Sequence, residues 1–225
     1  MGDCCSTEEN RVQQEFSNPN QQFNREPSTH RIKRDLPDAK SALECSAMLS
    51  MHQRVKKIYE ELEPFEKPFP NAHANLPEAG PYLYQELGTY RGQYKAGKRH
   101  GFGTFIFMDG SIYEGFWLTD VRNGLGRYIS TEGESYEGYW VEDARNGKGK
   151  SLSPDGTFYQ GTWEGDVPSG RGYEYYEDGS EYEGDYLNGV REGKGVFVFA
   201  NGNVYSGAFK EDVMHGFGNF SILGF

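Results

Sequence analysis

Histidine and cysteine are the residues most often used in metal binding and nucleophilic catalysis, and their spacing here favours neither use. No histidine stands three or four positions from another, so the sequence has no helical pair of metal ligands. Three cysteines make no disulfide framework and favour a reducing cytosol. We therefore predict no metal site and no cofactor. The residues concerned are His30, His52, His73, His100, His215, Cys4, Cys5 and Cys45.

One glycine-rich segment, Gly-Lys-Gly-Lys-Ser at 147–151, superficially resembles a phosphate-binding loop. That motif needs a glycine at position 144, where the chain has Ala144, and a helix directly after the loop. Carboxylates such as Glu132 and Asp178 fall at turn positions, which disfavours paired acid–base catalysis. The sequence contains no catalytic constellation, and we predict that the protein is not an enzyme.

The first six residues, Met-Gly-Asp-Cys-Cys-Ser, could carry lipid chemistry. Gly2 and Ser6 fit the N-myristoylation pattern, while Asp3 is unfavourable to it. A single myristoyl chain binds membranes weakly, so palmitoylation of Cys4 and Cys5 would supply the second anchor. The sequence thus suggests lipidation at Gly2, Cys4 and Cys5, with an accidental six-residue match as the alternative.

Aromatic residues and glycines recur at a fixed spacing from residue 90 onward. A Tyr-x-Gly triplet begins at every 23rd position, an aromatic ring follows four positions after the tyrosine, and a Gly-x-Gly begins eleven positions after it. Five of the six units also contain an Asp-Gly, Glu-Gly or Asn-Gly dipeptide. The triplets begin at Tyr90, Tyr113, Tyr136, Tyr159, Tyr182 and Tyr205.

Each unit predicts one β-hairpin. Residues 113–117 alternate in the manner of a strand, and 126–129 are its predicted partner. We expect a polar loop at 120–123 inside the hairpin, and a two-residue turn with positive φ at both residues of the Asp-Gly dipeptide. Each large ring would lie on the bare glycine backbone of a neighbouring strand. The acidic residues between the rings would face water on the other side: Glu114, Glu137 and Glu183.

A single hairpin of this length buries too little surface to fold alone, so the units must stack in a row. The predicted fold class is an all-β repeat. It is an elongated single-layer antiparallel meander of six 23-residue β-hairpins, preceded by a disordered tail and one amphipathic helix.

These residues resemble the MORN repeat, whose pattern is close to Tyr-x-Gly-x-Trp-x-x-Gly-x-x-x-Gly-x-Gly. The likeness covers 90–225, about three-fifths of the chain. It implies a scaffold or tether in which an aromatic groove holds partner segments, often helical. On this basis the predicted partner-binding groove consists of Tyr113, Trp117, Tyr136, Trp140, Tyr159, Trp163, Tyr182 and Tyr186.

The sequence departs from the family pattern at several positions. Asp120 and Asp143 stand where a loop glycine is usual, and Pro168 lies in the fourth loop. Ser151 and Glu174 replace the ring of the second strand. We therefore expect the second strands of the middle repeats to contribute less to the aromatic packing.

The first 89 residues have a different composition and divide into three segments. Residues 1–37 are polar and predicted to be disordered. Residues 38–64 predict an amphipathic helix, which either packs on its own sheet or docks a partner. Residues 65–89 form a linker with a candidate half-repeat that would cap the sheet edge. The apolar face of the predicted helix consists of Met48, Met51, Val55, Ile58 and Leu62.

The charge balance excludes one class of partner and disfavours another. The chain carries 23 Lys and Arg against 34 Asp and Glu, so a nucleic-acid partner is not expected. The repeats at 90–225 hold 13 basic and 20 acidic residues, which disfavours direct contact with anionic lipid. The sequence has no apolar run long enough for a transmembrane helix and no secretory signal.

Three functions remain from the sequence. The first is a non-enzymatic scaffold or adaptor that binds a helical protein segment and is tethered to the cytoplasmic face of a membrane by its acyl chains. The second is a structural component of a cytoskeletal or ciliary assembly such as an axoneme. The third, a phosphoinositide-binding module, ranks last because of the acidic balance. Exposed sheet edges would also permit a homodimer.

Overall fold

The computed structural model describes residues 53–65, 75–84 and 87–223, and these ranges contain one helix and thirteen strands. The helix, α1, is Gln53–Glu61. The strands are β1 (Glu78–Tyr84), β2 (Gly88–Lys95), β3 (Lys98–Phe107), β4 (Ile112–Leu118), β5 (Val121–Ile129), β6 (Ser135–Val141), β7 (Ala144–Leu152), β8 (Phe158–Glu164), β9 (Val167–Tyr175), β10 (Glu181–Leu187), β11 (Val190–Val198), β12 (Val204–Lys210) and β13 (Val213–Ser221). The predicted disordered tail and residues 38–52 of the predicted helix lie outside the described residues.

All thirteen strands belong to one antiparallel sheet in the order of the chain, β1 to β13, without a crossover. The predicted meander of six hairpins is confirmed, with β2 and β3 as the first hairpin and β12 and β13 as the sixth. β1 adds a strand at the N-terminal edge, where Tyr82 pairs with Tyr90. The sequence suggested a single capping strand at this place.

The turn inside each hairpin is shorter than the predicted loop. Thr119 and Asp120 form a two-residue turn with φ of 53° and 74°, and β5 begins at Val121. The predicted polar loop at 120–123 is therefore wrong. Positive φ at both turn residues is typical of the type I′ turn, whose twist matches that of the two strands it joins.

The loop between repeats has three residues instead of the predicted two. The backbone N–H of Phe107 donates to the carbonyl of Ser111, and that of Gly110 donates to the carbonyl of Phe107, both at 2.9 Å. Only Gly110 has a positive φ, 89°, so the loop is a type I turn followed by a left-handed glycine. The carboxylate of Asp109 instead accepts the Ser111 N–H at 2.8 Å.

The rings of the repeat tyrosines lie on the backbone of neighbouring glycines, as the sequence predicted. A Cβ atom on Gly126 would overlap the phenol ring of Tyr113, and one on Gly115 would overlap the Cα of Gly126. The Tyr113 hydroxyl passes over the strand and donates to the carbonyl of Phe116 at 3.0 Å. We call this side of the sheet the aromatic face.

The other side of the sheet, which we call the helix-bearing face, has a small apolar core of its own. Ile106, Ile112 and Ile129 pair with one another across β3, β4 and β5, so they form one row on this face. Val55 of α1 packs on the row and is fully buried. The helix therefore packs on its own sheet, which was one of the two alternatives that the sequence left open.

Polar contacts attach the helix further, and they change the expected role of the acidic residues. The hydroxyl of Tyr59 donates to Glu114 at 3.0 Å, and the guanidinium of Arg54 donates to the carbonyl of Glu132 at 2.7 Å. Glu137 accepts from Arg127 at 2.9 Å. The expectation that Glu114 and Glu137 simply face water is wrong, because both are bonded on a partly covered face.

Candidate functional site

The eight aromatic residues of the predicted groove come together on the aromatic face, where they form a continuous packed core. None is more than 5% exposed. The tyrosine that begins each repeat makes edge-to-face contacts with the ring four positions after it. It makes the same kind of contact with the equivalent ring of the next repeat. The centroid of Tyr113, for example, lies 5.1 Å from that of Trp117 and 5.5 Å from that of Trp140. Ring pairs of this geometry add stability beyond the area that they bury.

Hydrogen bonds also hold these rings in the core of the sheet. The indole N–H groups of Trp117 and Trp140 donate to the carbonyls of Gly103 and Gly126, both at 3.1 Å. Burial raises the pKa of Tyr113 well above its ordinary value because the charged form would lose its hydration. The role of these rings as partner contacts stays a prediction, and their burial means that a partner would touch only their edges.

A row of arginines covers the aromatic rings, and the sequence did not predict it. The Cζ atom of Arg122 lies 4.2 Å from the centroid of Trp140, and its Nε donates to Asp143 at 3.0 Å. The same Asp143 oxygen accepts the backbone N–H of Arg122 at 2.8 Å. Trp140 and Asp143 both belong to the next repeat, so one arginine joins two repeats.

The same arrangement recurs at four junctions between consecutive repeats. We call the row of arginines and their aspartates the arginine ladder. The aspartate always follows its arginine by 21 positions and always occupies the second, left-handed residue of a hairpin turn, with φ between 66° and 74°. Asp120 and Asp143, which depart from the family pattern, thus have a defined role. The ladder consists of Arg99 with Asp120, Arg122 with Asp143, Arg145 with Asp166, and Arg191 with Asp212.

The junction between the fourth and fifth repeats lacks this arrangement. Pro168 occupies the arginine position and Gly189 the aspartate position, although the Gly189 N–H still donates to the Pro168 carbonyl at 2.8 Å. Glu174 stands where four of the other repeats have a ring, and it accepts hydrogen bonds from the hydroxyls of Tyr176 and Tyr186. At the neighbouring junction, the buried indole N–H of Trp163 has no hydrogen-bond partner within the described part of the chain.

The helix-bearing face continues beyond α1 as a row of mostly apolar residues. Successive strand pairs carry the row from Ile129 through Ser135 to the later repeats, with Glu181 as its one acidic member between Ile129 and Val204. Leu152 is 40% exposed and Tyr175 is 41% exposed. We call the later part of the row the apolar strip, which consists of Leu152, Phe158, Tyr175, Val198 and Val204.

The remaining predicted sites lie outside the structure or have no counterpart in it. Gly2, Cys4 and Cys5 lie outside the described residues. Within the described ranges, no three His, Cys, Asp or Glu side chains are grouped closely enough to hold a metal ion. No helix in those ranges has the length and apolar character needed to cross a bilayer.

Comparison with known proteins gives one extensive match. The family model described as MORN repeat matches six consecutive segments, 90–112, 113–135, 136–158, 159–181, 182–204 and 205–221. The segment starts coincide with the six tyrosines that the sequence periodicity identified. Among proteins with curated functions, the sequence comparison finds no match.

Two solved structures are similar at low identity. The TCP domain of SAS-4 (dCPAP) from Drosophila melanogaster, in complex with a proline-rich motif of Ana2 (dSTIL), is 14% identical with a TM-score of 0.34, covering 71% of this chain and 97% of that one. The TCP10 domain of Danio rerio CPAP, in complex with a peptide of STIL, is 12% identical with a TM-score of 0.33, covering 58% and 62%. At TM-scores this low, neither likeness bears on the function of this chain.

Proposed function

This chain belongs to the MORN repeat family, and from that premise we propose that it is a non-enzymatic scaffold whose sheet binds a segment of another protein. We place the binding surface on the helix-bearing face, along the apolar strip. The segment that it binds is an amphipathic helix with basic residues beside its apolar stripe.

The observation that supports this proposal is the packing of α1 on the first repeats. Val55 is fully buried against Ile106, Ile112 and Ile129, although α1 has only nine residues. The row of side chains that α1 covers continues into the apolar strip. Because the hairpins repeat with constant register, Leu152, Phe158 and Tyr175 of the later repeats occupy the positions that α1 covers on the first ones.

The exposed residues of the apolar strip indicate that no described element of the chain covers it as α1 covers the first repeats. Leu152 and Tyr175 are 40% and 41% exposed, whereas Ile112 and Ile129 beneath α1 are 3% and 0% exposed. Fully burying an exposed large apolar side chain contributes roughly 1.5–3 kcal/mol, so covering residues that are 40% and 41% exposed would contribute a fraction of that amount each.

Charge favours a basic segment as the occupant. The repeats carry 13 Lys and Arg against 20 Asp and Glu, and Glu181 interrupts the strip itself. α1 shows that polar side chains of a helix reach acceptors on this face, because its Tyr59 donates to Glu114 and its Arg54 donates to the carbonyl of Glu132. A basic residue near the middle of the partner helix would form an ion pair with Glu181.

Site-specific photo-cross-linking tests the location of the surface. A photoreactive phenylalanine at Leu152 or Tyr175 should capture a partner in cells, and the same group at Asp155, on an exposed turn, should not. The captured partner is then expressed and titrated against the wild type and against Leu152→Glu/Tyr175→Glu, which should bind at least tenfold more weakly. Equal capture from Asp155, or equal affinity of the double variant, would place binding elsewhere.

A membrane tether is a second proposal, supported by the six N-terminal residues alone. Gly2 would be the myristoylation site and Cys4 and Cys5 the palmitoylation sites, which would hold the scaffold at the cytoplasmic face of a membrane. An alkyne-myristate label should appear on the wild type and be lost in Gly2→Ala.

Cell fractionation separates the tether from the cytoskeletal alternative. Cys4→Ser/Cys5→Ser should move the protein from the membrane fraction to the soluble fraction if acylation holds it. A component of an axoneme would stay in the detergent-insoluble pellet with or without these cysteines, and this result would favour the cytoskeletal or ciliary function.

A further inference from the structure

The outer edge of β13 is open in the described part of the chain. β13 pairs with β12 on one side, and no described strand pairs with its other side. Its aromatic residues are accessible, since Phe217 is 98% exposed and Phe220 is 54% exposed. After β13 the chain turns towards the loop between β11 and β12, where the Leu223 N–H donates to Asn203 Oδ1 at 3.2 Å. No described segment therefore covers this edge.

β13 also lacks the features that usually protect the edge of a sheet. Natural edge strands carry charges, prolines or irregular pairing that keep other strands away. Val213–Ser221 contains no Lys, Arg, Asp or Glu, whereas each of the other twelve described strands contains at least one. At the opposite edge, β1 contains Glu78 and Pro81, and its pairing with β2 is irregular between Ala79 and Tyr82. Of the two edges, β13 is therefore the one that is open to another strand.

The arginine ladder does not continue onto β13. Met214 occupies the arginine position of the sixth repeat, 23 positions after Arg191. Arg191 lies 5.8 Å from the ring centroid of Phe209 and is held by Asp212 of the next repeat. A methionine also packs well on an aromatic ring, but it needs no aspartate to hold it. The chemistry of this edge therefore fits an uncharged strand with a ring.

The sequence of β13 is complementary to itself in the register that the sheet uses. At each of the five contacts between consecutive repeats, a glycine pairs with a glycine, and the glycine two positions earlier pairs with a ring. Gly195 with Gly207 and Gly193 with Phe209 are one example. Two antiparallel β13 strands related by a two-fold axis at the second glycine of their Gly-x-Gly would reproduce both kinds of pair.

We propose that two copies of this chain associate through the outer edges of their β13 strands, which pair antiparallel about Gly218. We call this contact the β13 junction. On the helix-bearing face, the Phe217 side chains of the two copies are diagonal neighbours across the axis, within reach of each other. The β13 junction is separate from the apolar strip, so it does not rest on the partner helix proposed above.

On the aromatic face, the β13 junction repeats the packing found between repeats. Phe220 of one copy pairs with Gly216 of the other, as Phe209 pairs with Gly193 within the chain. Met214 of the second copy is diagonal to that Phe220, in the place that the ladder gives to an arginine. Each copy contributes one such ring and one such methionine, because a two-fold contact uses the same residues on both sides.

Sedimentation velocity of the full chain measures the association. A contact of one strand pair is smaller than a standard interface, so we expect a monomer–dimer equilibrium with a Kd on the order of 10–100 µM. Each copy has a net charge of −11 whereas β13 is uncharged, so raising NaCl from about 50 to about 300 mM should screen the repulsion and strengthen the dimer. A chain that stays monomeric at about 500 µM, or a dimer that weakens with salt, would overturn the proposal.

A pair of charge variants tests whether the two β13 strands meet each other. Phe217 is 98% exposed, so replacing it should leave the fold of the monomer intact. Phe217→Lys and Phe217→Glu each place like charges beside one another across the axis, and each variant should associate with itself at least tenfold more weakly than the wild type. An equimolar mixture should form a heterodimer at least tenfold tighter than either variant alone. If the mixture associates no better, the two strands do not pair.

The opposite edge of the sheet provides the matched control. Leu83 in β1 is 71% exposed, so Leu83→Lys introduces the same charge on the other edge, and the Kd should stay that of the wild type. Amide hydrogen exchange should slow at 216–220 as the concentration rises through the Kd, without change at 78–84. Loss of the dimer in Leu83→Lys, or slower exchange in β1 instead of β13, would assign the contact to β1 and overturn the proposal.

Discussion

The guanidinium of Arg122 lies 4.2 Å above the ring of Trp140, which belongs to the following repeat. In the same position it is bonded to Asp143, with its Nε 3.0 Å from Oδ1. One side chain therefore fastens two repeats by a cation–π contact and an ion pair. Because this arrangement recurs along the chain, cohesion between repeats depends on arginine as well as on the rings beneath it.

Removing an arginine of the ladder should loosen the junction without disturbing either hairpin. Arg122→Ala should lower the free energy of unfolding by about 1–3 kcal/mol, since it removes a cation–π contact and a partly buried ion pair. Urea denaturation measures the change. Lys210→Ala, at an exposed position, serves as the control and should change stability by less than about 0.5 kcal/mol. If the two substitutions cost the same, the ladder contributes nothing to cohesion.

A methyl group beneath a repeat tyrosine should be poorly tolerated. A Cβ on Gly149 would overlap the ring of Tyr136, and overpacking of this kind costs about 1–3 kcal/mol, since the neighbours must move. Gly149→Ala should therefore destabilise the chain in a thermal or urea melt. In a Tyr136→Ala background the same change should cost much less, because the ring is no longer there. Equal costs in the two backgrounds would refute the packing of ring on glycine.

Trp140→Ala and Leu152→Glu should differ in their effect on stability, because one residue lies in the buried core and the other on the exposed surface. Trp140 is 3% exposed, and loss of a buried aromatic ring costs roughly 3–5 kcal/mol. Leu152 is 40% exposed, so a charge there should change stability by less than about 1 kcal/mol. Chemical denaturation gives both values. A stable Trp140→Ala variant that had lost its partner would instead favour the aromatic groove as the contact surface.

Stability should fall in alkaline solution because of the buried tyrosines. Burial raises the pKa of Tyr182 to about 12, while a tyrosine in the unfolded chain ionises near pH 10. Between these values the unfolded state has released a proton that the folded state keeps, so the free energy of unfolding decreases as pH rises from 10 towards 12. Below pH 10 the contribution is fully present.

The alkaline effect can be assigned by comparing the wild type with Tyr182→Phe in urea melts at pH 8, 10 and 11. The variant lacks one group that titrates, so its stability should fall less steeply between pH 10 and 11. Identical slopes for the two proteins would mean that Tyr182 does not contribute.

The sequence predicted the repeat and its packing because both are encoded at short range. Tyr113, Gly115 and Gly126 occur within one unit, and the alternation of a strand already places the tyrosine and Gly115 on one side. The ladder could not be found in the same way, because Arg122 and Asp143 are 21 positions apart and belong to different repeats. A search for charges conserved in phase along the chain would have revealed it.

Two other expectations failed because they rested on one element considered alone. Asp109-Gly110 is a frequent type I′ dipeptide, but here the Asp109 side chain accepts from Ser111 and fixes a longer loop. Glu114 alternates with the rings and should face water, but α1 approaches that face and its Tyr59 bonds the carboxylate. The contact between Asp109 and Ser111 is local but selects a different loop, whereas the contact between Tyr59 and Glu114 cannot be read from the strand that contains Glu114.

Pro168 also has a mechanical consequence. The contact between β9 and β10 lacks the Arg–Asp pair of the ladder, and across it Arg171 instead lies 3.2 Å from Glu183 and 3.8 Å from Asp185. These ion pairs are about half exposed and therefore contribute little to stability. A pulling force along the chain is therefore expected to open this contact first, which would leave a block of four repeats and a block of two.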